Sequence, residues 1–289
     1  MISKLPSRKT KLKPQGDLEA SSSYDIMGDV AVIRILKSPA DKLELTAERL
    51  MQRHRNVKTV LGQVGGVSGD LRLRRLRWIA GERKFETVHK EFGCAFKVDL
   101  KKCYFSPRLS YERMRIARLA KPDETVVNMF AGVGSFSLLI ACHSQARKIY
   151  SIDVNPVAVN LMRQNARLNR VEGQVVPVLG DAKDVVQEHM KNIADRVLMP
   201  LPRKALAYLH YALMALKPSG GWIHYHDFKH AYKDESPLEK AKEEVEKKLR
   251  KLGTRFKFSG QRVIRSMGPN WHQVILDVRV ISKTQSLQS

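Results

Sequence analysis

The chain reads as an α/β protein in which a doubly wound, mostly parallel sheet with an antiparallel edge follows a smaller α/β domain. Three observations predict this. After Pro122, short apolar runs alternate with helical patterns, as in strand–helix–strand units. Between residues 20 and 100, apolar and polar residues instead alternate around glycine turns. Residues 254–280 hold two long alternating runs with no helix between them, which suits an antiparallel edge on a parallel sheet.

Each element follows from its local text. Residues 1–19 are rich in Lys, Pro and Ser without apolar periodicity and are expected to form a basic flexible tail. Residues 25–35 form a β-rich run around the Gly28 turn, and 41–54 place apolar residues at helical spacing. A run at 57–64 and a Gly-rich turn at 65–70 follow; 71–81 and 82–100 then alternate like strands of one antiparallel sheet. Residues 20–100 are therefore expected to be one small domain. The segment 103–121 holds a Pro-bounded loop and then a helix with Leu109, Met114, Ile116, Ala117 and Leu119 partly on one side. In the second domain, 101–283, strands are expected at 125–130, 148–153, 173–180, 195–200 and 220–228. Helices are expected at 135–144, 156–169 and 204–217, with a charged helix around 239–252 before the edge pair at 254–266 and 271–280. Residues 284–289 are expected to be a disordered tail.

Composition narrows the function classes. No apolar run approaches the roughly 20 residues needed to cross a bilayer, and the start carries no signal-peptide stretch. Three cysteines, Cys94, Cys103 and Cys142, provide no disulfide framework and suit a reducing cytoplasm. Fifty-two Lys and Arg against 29 Asp and Glu give a net charge of +23, a field that concentrates polyanions. The bunching of Arg72, Arg74, Arg75 and Arg77 favours nucleic acid as the partner over a purely solubilising charge. Without a heptad seam a monomer is expected. His224 and His226 lack ligand spacing, so no metal site is expected.

In an open parallel sheet, ligands bind beyond the carboxyl ends of the strands. Three motifs fall there. Asn128-Met129-Phe130-Ala131-Gly132-Val133-Gly134 follows the first strand and lets backbone approach a ligand at a helix start. The second strand ends in Asp153-Val154-Asn155-Pro156, where an acid can accept both hydroxyls of a ribose. The third ends in Gly180-Asp181-Ala182, beside the expected place of an adenine amino group. Either acid alone could simply cap a helix; their combination with the glycine loop points to a nucleoside cofactor. The phosphate-binding glycine fingerprint is incomplete, which suits a cofactor without phosphate. The arrangement resembles the Rossmann-like class I methyltransferases that bind S-adenosylmethionine.

A closer resemblance lies in Tyr104-Phe105-Ser106-Pro107-Arg108-Leu109-Ser110-Tyr111-Glu112-Arg113, followed by the motifs at 128–134, 149–156 and 196–202. With the small domain's 27–33, its Arg-rich strand and 89–93, these residues resemble the archaeal and eukaryotic tRNA guanine-37 N1-methyltransferases. The likeness runs from about residue 20 to 282 and makes the small domain an RNA-binding one. Guanine N1 carries a proton at neutral pH, so it attacks a methyl group only if a base removes that proton while charge grows on O6. The resemblance implies Glu112 as that base and Arg72 as the O6 partner. An ordinary first-turn helix acid is the alternative for Glu112. The resemblance also implies cofactor contacts from Tyr104, Arg113, Asn128, Phe130, Ala131, Gly132, Gly134, Asp153, Val154, Asn155, Asp181, Ala182 and Pro200. RNA contacts are expected from Arg72, Arg74, Arg108, Arg113 and Pro202.

Several departures from the family pattern matter. Asn128 replaces an acid often found before the glycine loop, removing a charge that could meet the cofactor's ammonium. Met199-Pro200-Leu201-Pro202 lacks the usual Asn and also the Asn-Pro-Pro-aromatic box that orients an exocyclic amine, which argues against methylation of such an amine. The extra N-terminal domain that many relatives carry is not expected here. The nearest rival is the related wybutosine-pathway enzyme that transfers the cofactor's aminocarboxypropyl arm; the intact Arg108 to Arg113 arrangement favours methyl transfer. A noncatalytic RNA-binding relative is the rival from another class. A 5-methylcytosine enzyme would need a cysteine where Met199 and Pro200 stand.

Overall fold

The computed structural model describes residues 24–35, 40–69 and 71–283; the expected tails at 1–19 and 284–289 lie outside the described residues. The first unit is a mixed sheet of order β1-β2-β3-β4, formed by Tyr24–Met27, Val30–Ile35, Thr59–Val64 and Leu76–Gly81. β2 and β3 pair in parallel across α1 (Ala40–Arg53), whose Leu43, Ala47 and Leu50 form a one-faced stripe buried on the sheet. β1 and β4 pair antiparallel at the two flanks.

One expected strand is shorter than its alternation suggests. Residues 71–75 form no strand: Arg72 has φ 53° and an isolated bridge joins Ser68 to Leu73, so the chain turns before β4 begins at Leu76. Alternating Leu and Arg mimic a strand here, but a left-handed residue breaks the pleat. The run expected at 82–100 becomes a separate hairpin, β5 (Glu86–Glu91) and β6 (Cys94–Asp99). Its β6 backbone is clamped by the amides of Asn165 and Asn169 on α4 (Pro156–Leu168) and the residue capping it.

A 3-10 turn at Pro107–Leu109 leads into α2 (Ser110–Leu119). Beyond it lies the seven-stranded sheet, whose parallel strands are β7 (Thr125–Asn128), β8 (Lys148–Asp153), β9 (Val175–Leu179), β10 (Arg196–Met199) and β11 (Gly221–His230). β12 (Arg255–Gly268) and β13 (Trp271–Ser282) supply the antiparallel edge, giving the order β12-β13-β11-β10-β7-β8-β9. The order reverses between β7 and β10, where such sheets open a crevice. α3 (Ser135–His143) and α4 pack in one core with the hairpin, while α5 (Ala182–His189), α6 (Ala205–Ala215) and α7 (Pro237–Lys251) share the other. α7 shows how sequence places a helix: Ser236 caps it by accepting from the Glu239 amide, and Ala241, Val245 and Leu249 recur every four residues on its buried side.

Candidate active site

A cavity of about 290 Å³ opens at the carboxyl ends of β7, β8, β9 and β10. Gly132 borders it with φ 57°, a left-handed conformation that glycine adopts without strain and that turns the chain beneath the cavity. Asp153 accepts the Gly132 amide at 2.7 Å through Oδ2 and the Asn155 amide at 2.9 Å through Oδ1. Each carboxylate oxygen keeps a further lone pair for a hydroxyl. Burial raises the Asp153 carboxyl above its ordinary range against the pull of those two amides. Asp181 caps α5 through the Lys183 amide and receives the Tyr208 hydroxyl at 2.8 and 2.9 Å. Phe130 meets Tyr208 edge to face at 5.1 Å, giving the cavity an aromatic wall. The capping role the sequence allowed for Asp181 is thus real and coexists with its place in the cavity, while on β8's side the cap is Asn155 rather than Asp153.

A second cavity, about 440 Å³, lies between the small domain and the sheet edge. Arg34, Arg72, Arg74, Arg108, Arg203 and Arg265 line it, with Asp25 the sole acid among the described lining residues. The two cavities share Arg72 and Tyr104. The Arg72 guanidinium lies 4.1 Å from the Tyr104 ring centre, and the two side chains fill the junction. Burial of Tyr104 opposes ionisation, but the cations of Arg72, Arg265 and Arg74 outweigh it and hold the phenol below its usual range. Burial likewise weakens the Arg72 proton, partly offset by Tyr104. Arg74, two residues on, is spent elsewhere: it donates to the Phe105 carbonyl at 2.9 Å and to Gln63 at 3.3 Å, and pairs with Asp25.

Glu112 lies outside both cavity linings. Its carboxylate is held by two donors of Arg115, at 2.6 and 2.8 Å, one turn along α2. Arg115 also grips Asp277 on β13 at 2.8 and 3.0 Å; Asp277 in turn bonds His224 at 2.6 Å, and His224 meets Arg196 at 2.6 Å. Arg196 must donate, so His224 accepts through Nε2 and donates from Nδ1 to Asp277. Arg196 then closes on Glu124 at 2.7 and 3.0 Å. Burial lifts the Glu112 carboxyl above its ordinary range despite Arg115, whereas Asp277, although buried, is driven well below by His224 and Arg115.

Of the expected cofactor residues, Tyr104, Phe130, Gly132, Asp153, Val154, Asn155, Asp181, Ala182 and Pro200 line the first cavity. Arg113, Asn128, Ala131 and Gly134 do not. Arg113 is buried and bound to Glu91 at 2.5 and 2.7 Å and to the Ser106 carbonyl, so it locks the 105–107 loop to the hairpin. Asn128 is fully buried and donates to Ser137 at 3.1 Å; its Oδ1 has no partner. Gly134 has φ 88° and leaves room for Met162, which a β-carbon would approach to 2.8 Å. Arg72, Arg74 and Arg108 line the arginine cavity; Pro202 lies in a third. Sequence reasoning missed Lys204 and Tyr208 in the first cavity and Arg34, Arg203 and Arg265 in the second. Arg203 adjoins the noted 199–202 run, but no periodicity says which side of α6 carries Tyr208.

Residues 87–255 match the family described as the TRM5/TYW2 methyltransferase domain, and residues 9–84 match the TYW2 N-terminal domain. The chain is 36% identical over 259 residues to the tRNA (guanine(37)-N(1))-methyltransferase Trm5b of Pyrococcus abyssi, covering 90% of this chain and 75% of that protein. It is 35% identical to the tRNA 4-demethylwyosine(37)-methyltransferase Taw21 of Saccharolobus solfataricus, covering 88% of this chain and 92% of the relative. Among solved structures, the complex of aTrm5 with tRNALeu superposes with a TM-score of 0.78 at 34% identity, over 90% of this chain and 72% of that one. Methanocaldococcus jannaschii TYW2 in complex with AdoMet gives 0.65 at 28% identity, over 90% of this chain and all of that one.

Proposed function

The chain belongs to the TRM5/TYW2 methyltransferase family, and from that premise we propose that it transfers the methyl group of S-adenosylmethionine to N1 of guanine 37 in tRNA. The observation that carries this reading is the junction of two chemically distinct cavities at Arg72 and Tyr104. One offers carboxylate acceptors and an aromatic wall suited to a nucleoside; the other offers arginines suited to phosphates and a purine oxygen. When bound, S-adenosylmethionine supplies the electrophilic methyl group. Asp153 would hold the ribose hydroxyls, with Asp181 near the adenine edge and Phe130 against its face. The spare lone pairs on Asp153 and the aromatic wall of Phe130 and Tyr208 fit such a group.

Arg72 answers the negative charge that grows on guanine O6, and a guanidinium already desolvated at the junction acts there without screening by water. Glu112 takes the N1 proton. Its present bidentate partner, Arg115, has a second carboxylate in Asp277, so the guanidinium stays paired when Glu112 turns to the purine. Burial, which favours the protonated carboxyl, makes Glu112 a stronger proton acceptor than a surface glutamate.

A second substrate, 4-demethylwyosine at position 37, is favoured by one observation: residues 9–84 match a TYW2 N-terminal domain. The test is nucleoside mass spectrometry of two tRNAs after incubation with enzyme and cofactor, one unmodified and one carrying 4-demethylwyosine at position 37. N1-methylguanosine in the first supports the proposal; methylation of the second alone overturns it in favour of the tricyclic base.

A further inference from the structure

A third cavity, about 800 Å³, lies beside the arginine cavity and shares Val67, Arg72, Arg203 and Met267 with it. Phe228 forms part of its wall, 5.6 Å from the Arg72 guanidinium, and Trp271 stands at its rim with 48% of its surface exposed. Trp271 and His230 are cross-strand partners on β13 and β11, their rings 5.3 Å apart, and His230 meets Tyr232 at 4.8 Å. Tyr232 is 62% exposed. An aromatic surface therefore continues outward from the residues that face the target base. The acids of this cavity, Asp227 and Glu244, both bind Lys229, which offsets one of their two charges, and Arg72 and Arg203 in the same lining offset the other and leave the wall net positive toward a phosphate chain.

We propose that this surface is a stacking site for a nucleobase of single-stranded RNA next to the target nucleotide, with Trp271 as the platform and Arg203 as its phosphate partner. A base drawn into the junction at Arg72 leaves its neighbours unstacked, and exposed aromatic faces recover that lost stacking. Continuity with the arginine cavity selects RNA over an apolar peptide, because an apolar peptide gains nothing from a lining that includes Arg34, Arg72, Arg203 and Arg265. The inference rests on the tRNA reading above, but no part of it requires Trp271 to touch the reacting atoms.

The experiment is a binding cycle on the full chain. The probes are an anticodon stem-loop RNA with guanine 37 and two versions carrying an abasic site on the 5′ or the 3′ side of that guanine. Trp271→Ala is expected to weaken the intact RNA roughly 10-fold, with Trp271→Phe restoring most of the affinity. With one of the two abasic RNAs the Trp271→Ala penalty should vanish, since the stacked base is already gone. Calorimetric binding of S-adenosylmethionine verifies that the variant is folded. Equal affinity of Trp271→Ala for the intact RNA overturns the inference, as does an identical loss for all three RNAs. Failure of the wild-type chain to bind the intact stem-loop would instead sink the tRNA reading.

Discussion

In the proposed reaction two side chains are candidates for the base that takes the guanine proton. Glu112 has the raised carboxyl that a base needs but is clasped by Arg115, whereas Tyr104 stands in the junction with a phenol acidified by three arginines. Glu112→Gln preserves the shape of the buried site and is expected to lower single-turnover methyl transfer by about 100-fold or more. Full activity in that variant, with the loss appearing instead in Tyr104→Phe, would transfer the role to the phenol. On the cofactor side, Asp153→Ala is expected to weaken S-adenosylmethionine at least about 10-fold in calorimetry, since it removes two acceptors and frees the Gly132 and Asn155 amides. Unchanged affinity would exclude Asp153 from the ribose contact. Asp153 and Asp181 were legible in the sequence because strand ends fix where a carboxylate can sit. The burial of Arg113 and Asn128 was not, because it depends on Glu91 and Ser137, which reach them from other elements.

The parallel sheet announces itself in the sequence because each buried strand is an apolar run and each helix carries a periodic stripe. The turn at 71–75 hides, since Leu71, Leu73 and the intervening arginines have the spacing of a strand. That turn is what aims Arg72 at both cavities while Arg74 is buried against Phe105. Where a strand passes into a helix, Gly134 carries a similar burden. Gly134→Ala forces a β-carbon into the left-handed region and toward Met162, and is expected to destabilise the chain by about 1–3 kcal/mol in chemical denaturation. No change would mean that α3 can begin in another conformation.

At the scale of the molecule, charge governs both stability and binding. His224 and His226 are fully buried and stay neutral, burial pulling them down to about 4 and about 3. Their folded values lie below the unfolded one near 6.5, so the unfolded chain binds more protons in this window. Stability is therefore full above about pH 6.5 and falls as the pH drops toward 4, by about 1.4 kcal/mol per pH unit for each histidine. Melting temperatures measured from pH 7 to 4 should drop, and His226→Leu should flatten the fall; a curve of the same slope in that variant would contradict it. For the RNA surface, Arg34→Ala and Arg203→Ala are each expected to make the salt dependence of tRNA affinity shallower by about one unit of logarithmic slope. An unchanged slope would remove that arginine from the phosphate contacts.

The most direct measurement follows the two arms of the cofactor separately. Unmodified tRNA is incubated with the protein and S-adenosylmethionine labelled either in the methyl group or in the amino-acid arm, and the modified nucleoside is then mapped. Methyl label on N1 of guanine 37, with none from the other arm, is the expected result. Label from the amino-acid arm alone, or no label in the RNA at all, would contradict it.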